Sequence, residues 1–291
     1  MPTIAAWPRG RVGKAMGACA LCLGVLAPPA PAQSPGQPEF VLSISAGSLR
    51  GDRVWRLPLQ PAWAPAGRRD TLALSRWLVS PSVVVAVAAT RFRSSLVGTT
   101  VEAMYLGFVA TSGCAALGGF APDSLQRNER ACAGLQGRRT GNGALALQGG
   151  LTLRSNAGSG SHFFVRALAG AAYLGRSMVP MSAEVEGAAT DSSGAPIPMR
   201  VDLLGERKSI AFTWIATMAA GARIAMSADY SASVQVSDVV IGLPVPAAAA
   251  DVPPASQPGS PLAPVARRRF HFPTMAVSID FVFGRGRQRR Y

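Results

Sequence analysis

The sequence predicts an all-β protein: an eight-stranded antiparallel up-and-down transmembrane β-barrel with four long extracellular loops and short periplasmic turns. Three observations carry this. From Arg223 to Ser237, apolar Ile224, Met226, Tyr230, Val234 and Val236 alternate with small or polar Ser227, Asp229, Ser231 and Gln235. That period of two gives a strand one apolar and one wet face. Taken as a single strand it runs about 13 residues, longer than the soluble average of about 5–6 and ample for a tilted membrane strand of roughly 9–11. Second, connections of about 30 residues alternate with connections of about 3–6, as in barrels that keep long loops outside and tight turns inside. Third, no run of 18 apolar residues exists; the nearest, Leu96 to Gly113, carries Glu102, so helical spans are excluded.

The strands follow in order. The first is Glu39 to Leu49, the second the Val- and Ala-rich Ser82 to Phe92, and the third the aromatic Thr99 to Thr111. The fourth, Gly143 to Ser155, sets Leu145, Leu147, Leu151 and Leu153 against Gln148, Thr152 and Arg154. The fifth, His162 to Leu174, opposes Phe163 and Val165 to Phe164 and Arg166; the sixth is Ser209 to Ala219. The seventh is Arg223 to Ser237. The eighth, Pro273 to Gly284, shows Met275, Val277, Ile279, Phe281 and Phe283 on one face. An Arg or Lys on a lipid face costs about 2–4 kcal/mol at the midplane, so Arg154, Arg166, Asp229 and Asp280 are assigned to the interior. Within it, Glu102 is expected to pair with Arg154, with Arg166 nearby.

Residues 1–32 form an export signal with Arg9, Arg11 and Lys14 at its start, an apolar stretch from Ala15 to Ala27, and cleavage near Ala32. Taking those three cations from the total of 29 leaves 26 basic residues against 15 acidic ones, a net charge of +11 on residues 33–291. For an exported chain the nearest polyanion is lipid phosphate rather than nucleic acid. Cys19 and Cys22 leave with the signal. Cys114 and Cys132 remain, and a pair in an oxidising compartment is expected as a disulfide. Two histidines, His162 and His271, are too few and too scattered for a metal site, and no cofactor fingerprint occurs.

Four long loops complete the outline. The first, with Trp55, Trp63 and Trp77, is expected to be partly ordered, and the second holds both cysteines. In the third, Ala183–Gly187 and Met199–Leu203 suggest a hairpin that extends the strands. The fourth, Leu243–Arg268, is Pro- and Ala-rich and expected to be flexible. Trp77, Tyr105, Tyr173, Trp214, Phe270 and Phe272 are placed in the aromatic girdles. Arg267, Arg268 and Arg269 are placed against phosphorylated lipid head groups, including lipopolysaccharide.

On these residues the mature chain resembles the small outer-membrane β-barrels of the OmpA/OmpX type. The resemblance implies a monomer inserted by the outer-membrane assembly machinery, which recognises an aromatic-ended last strand. Phe283 fits that position, and the basic tail Gly284–Tyr291 departs from it. A structural or surface-interaction role through the loops follows, with a narrow channel as a variant. The alternatives are a soluble periplasmic barrel around an apolar ligand, or a lipid-modifying enzyme. Neither histidine supports the latter: Ser161 and His162 are adjacent and so point to opposite faces, and His271 has no partner recognisable in the sequence.

Overall fold

A computed structural model describes residues 39–63, 69–94, 96–117, 127–155, 161–190, 192–194, 196–227, 229–250 and 259–283. The export signal and the basic tail lie outside the described residues. Eight long strands close into a ring: β1 (Glu39–Leu49), β4 (Ser82–Phe92), β5 (Val97–Ala116), β6 (Arg139–Arg154), β7 (His162–Leu174), β10 (Phe212–Ala225), β11 (Tyr230–Pro246) and β13 (Val265–Phe283). Every neighbour is antiparallel, and β13 returns to β1 with Phe40 opposite Phe283. Closure removes the unpaired edges that a membrane cannot tolerate.

Period two decides the faces. On β13, Met275, Val277, Ile279 and Phe283 are exposed, while Phe272, Thr274, Ala276, Ser278 and Asp280 are buried. β6 does the same with Leu145, Leu147, Leu151 and Leu153 outside and Ala146, Gln148, Thr152 and Arg154 inside. On β7 the outer face runs from Phe163 to Tyr173, 11 residues, matching the roughly 9–11 that span a bilayer.

The predicted strands are found, with one displacement. Arg223–Ala225 belongs to the end of β10, and β11 begins at Tyr230. Ala225 pairs with Ser231, and partners share a face, so their even separation of six carries one apolar phase from Ile224 to Val236. A period-two pattern cannot reveal such a break.

The long connections are more ordered than their composition suggests. The first contains β2 (Arg53–Trp63) and β3 (Arg69–Leu78), a hairpin whose β3 joins the outer end of β5. The second holds helix α1 (Arg127–Leu135). In the third, β8 (Met181–Thr190) and β9 (Pro196–Glu206) form the expected hairpin. It makes a separate sheet with β12 (Leu262–Ala263) instead of prolonging the barrel strands. Much of the fourth is strand, since β11 and β13 stay paired out to Pro246 and Val265.

Candidate functional site

The interior has two zones. Toward the short-turn end it is polar and charged. Arg154 Nη1 donates to Glu39 Oε1 at 3.0 Å, Arg166 Nη1 to Glu102 Oε2 at 3.0 Å, and Arg223 Nε to Asp280 Oδ2 at 2.8 Å. All six residues are buried. The hydroxyls of Thr90, Thr100 and Thr152 form a chain at 2.9 and 2.7 Å, and Thr217 donates to Gln148 at 2.9 Å.

Glu102 therefore does not pair with Arg154. It lies opposite Gln148, six residues along β6 from Arg154, or about 20 Å of strand. Arg154 takes Glu39 across the inner mouth, a partner that the stagger of the barrel supplies. Asp229 is exposed in the β10–β11 turn and not in the interior, because the strand begins one residue later. Arg223, not among the expected interior charges although it shares the polar phase of Ser231 and Ser233, takes the remaining place beside Asp280.

Toward the long-loop end the interior turns apolar. Leu106, Phe108, Ile215, Val239, Ile241, Leu243 and Phe272 are all at most 2% exposed. Phe270 and Phe272 belong to this plug and not to a girdle: the rings stack at 6.1 Å, and Phe272 meets Phe108 at 5.7 Å. The same core continues into the loops through Trp55, Leu72, Leu74, Met181 and Leu204. Trp55 Nε1 donates to the Met178 carbonyl at 3.0 Å, and Gln60 Oε1 accepts from the Ala250 amide at 2.9 Å. Barrel and long-loop segments thus share one hydrophobic core.

Cys114 and Cys132 are disulfide-bonded with Cα atoms 5.3 Å apart, tying α1 to β5. Asn128 donates to Asp70 at 2.8 Å, a second link from α1 to the first hairpin. Arg76 is buried with Nη2 donating to Ser112 and to the Pro180 carbonyl, each at 3.2 Å. Burial pushes its guanidinium well below its ordinary range, down to about 10.

Outside, Trp77, Tyr105, Tyr173 and Trp214 are exposed at the outer end of the apolar belt. At its other end Phe40 lies 6.1 Å from Phe283, and Tyr230 5.9 Å from Phe281. Arg267, Arg268 and Arg269 are exposed just beyond the outer belt; Arg267 donates to the Phe212 carbonyl at 3.0 Å, and Arg269 lies over Trp214 at 5.6 Å. His271 has a partner after all, Asp238 Oδ2 at 2.8 Å from Nδ1, and among the described residues no hydroxyl or thiol bonds to either. His162 is buried while its neighbour Ser161 is exposed. Among the described residues no three metal-ligating side chains cluster, and no helix is long and apolar enough to cross a membrane.

An apolar belt bounded by aromatic rows on a closed eight-strand ring leaves one architecture. The fold is that of a small outer-membrane β-barrel. No protein-family model and no curated protein matches the chain. Among solved structures it is similar to Ail, the attachment invasion locus protein of Yersinia pestis. With the heparin analogue sucrose octasulfate bound, that protein matches at 9% identity and TM-score 0.35, over 85% of this chain and 99% of Ail. A second Ail structure gives 8% identity and TM-score 0.32, over 86% and 100%. A TodX deltaS2S3 mutant, a monoaromatic hydrocarbon channel, matches at 7% identity and TM-score 0.16, over 86% of this chain and 91% of TodX.

Proposed function

We propose that the protein is an exported, monomeric outer-membrane barrel whose task is surface interaction, performed by a compact head rather than by a pore. The observation that supports this is the shared core: the side chains that fill the outer half of the barrel also anchor the β2–β3 and β8–β9 hairpins. Such an interior has no room for a solute path, so the channel variant loses its support. The His271–Asp238 pair lacks a nucleophile, so the reading carries no catalytic step. Arg267, Arg268 and Arg269 stand where head-group phosphates of the outer leaflet would meet them, and the alternation that buries Ser233 and exposes Val234 favours lipid around the barrel over a soluble ligand carrier.

Labelling of intact cells tests the placement. Arg56→Cys, exposed on β2, is expected to react with a membrane-impermeant maleimide, while Asp229→Cys reacts only after the envelope is broken. The reverse pattern, or recovery of the protein in the soluble periplasm, would overturn the reading.

A further inference from the structure

We propose that a groove on the outer face of β5, β6 and β7 is a binding site for one phosphorylated, acylated lipid of the outer leaflet. The inference rests on the membrane placement proposed above, and on a side of the barrel different from the one bearing Arg267–Arg269.

The groove is built around Tyr105, whose ring packs onto a pair of glycines on β5 and β6. Gly107 on β5 stands opposite Gly143 on β6, and the Gly175 amide donates to the Gly143 carbonyl at 2.9 Å. One step outward, Gly141 faces Val109. Beside the Tyr105 ring, and open above Gly141, lies a trough about 670 Å³ in volume, with Arg176 on its rim. Directly below, at the outer end of the apolar belt, lies a second hollow of about 530 Å³ floored by Ala103 and Ala171. Tyr105, Leu145 and Tyr173 line both, so the two are one groove.

Its chemistry changes along its length as a lipid's does. The lower hollow is walled by Val85, Val87, Leu147 and Phe212, suited to acyl chain at bilayer depth. The upper trough lies beyond the tyrosine row, at head-group level. Arg176 borders it, and Arg139, on the same outward face one step beyond Gly141, is exposed above it. None of the lining residues is acidic. Neither the Tyr105 nor the Tyr173 hydroxyl has a hydrogen-bond partner among the described residues, so both phenols are free for a head group. Cations above, free hydroxyls between and a small-residue apolar channel below complement a phosphate joined to hydrocarbon. A neutral lipid would leave the cations unused.

Gly141 offers a clean test, since a Cβ added there meets nothing within 4 Å. Gly141→Leu fills the trough without disturbing the sheet. Purified full-length protein in detergent is titrated with bisphosphorylated lipid A and with its dephosphorylated form, and the adducts are counted by native mass spectrometry on samples that show the folded gel band. The parent is expected to prefer the phosphorylated form. Gly141→Leu should lower its binding about tenfold, and Arg139→Gln with Arg176→Gln should abolish the preference for phosphate. Arg267→Gln, Arg268→Gln and Arg269→Gln together should leave this adduct in place. Unchanged binding by Gly141→Leu, or a preference that survives loss of Arg139 and Arg176, overturns the groove while leaving the membrane placement to its own labelling test.

Discussion

Glu39 and Arg154 close the inner mouth of the barrel as a buried ion pair, and Arg154 also lies over the Phe92 ring at 4.0 Å. Removing one partner of a buried pair strands the other charge. Glu39→Ala is therefore expected to cost about 3 kcal/mol in urea unfolding of the refolded barrel. A double-mutant cycle should couple 39 with 154, while 102 and 154 add within about 0.5 kcal/mol. Arg76 is the opposite case, a buried cation with hydroxyl and carbonyl partners only. Its depressed pKa means that the unfolded chain holds the proton more tightly. The penalty is then present at neutral pH and fades as pH rises above about 10 toward the ordinary arginine range. Arg76→Met should accordingly leave the head at least as resistant to limited proteolysis at neutral pH as the parent. The inward position of Glu102, Arg154, Arg166 and Asp280 was legible in the sequence, since a charge on a lipid face is excluded by its cost. Their partners were not, because pairing depends on how far each strand is staggered around the ring.

At the level of elements, α1 is a nine-residue helix held at both sides, by the disulfide to Cys114 and by Asn128 to Asp70. Joining cysteines separated by 18 positions contributes about 3 kcal/mol, largely through the unfolded chain. Cys132→Ser should expose α1 to protease and leave the folded gel migration of the barrel intact. The β10–β11 turn makes a separate prediction. One residue inserted at position 227 shifts the phase of β11, turning Ser231 and Ser233 to lipid and Val234 inward, and assembly should fail; two inserted residues restore the phase and should rescue it. The strands were legible because lipid imposes one rule on every outward position. This turn was hidden by the same rule, since an even separation between paired residues leaves no mark. The outer extensions of β11 and β13 were hidden by prolines and alanines that suggest a flexible loop, although pairing with each other and burial of Leu243 and Val245 hold them in strand.

Across the whole molecule the interior passes from ion pairs to packed aromatics, and no water-accessible surface remains on Leu106, Val239, Ile241 or Leu243. The reconstituted protein is expected to give no ion conductance in planar bilayers, and steady unitary currents would contradict a filled interior. Outward faces could be read one residue at a time, but the change of interior character with depth could not. It depends on which loops fold back over the opening; Phe270 and Phe272 resembled girdle residues as aromatics near the rim, although they share the phase of inward Ala276 and Ser278. That fold-back also limits what may be exchanged. In a barrel whose loops are mere tethers, any surface sequence can be swapped for another. Here, grafting a foreign peptide in place of residues 53–78 would remove Leu72 and Leu74 and uncork the vessel, so leakage to small ions after such a graft would report how tightly the stopper fits.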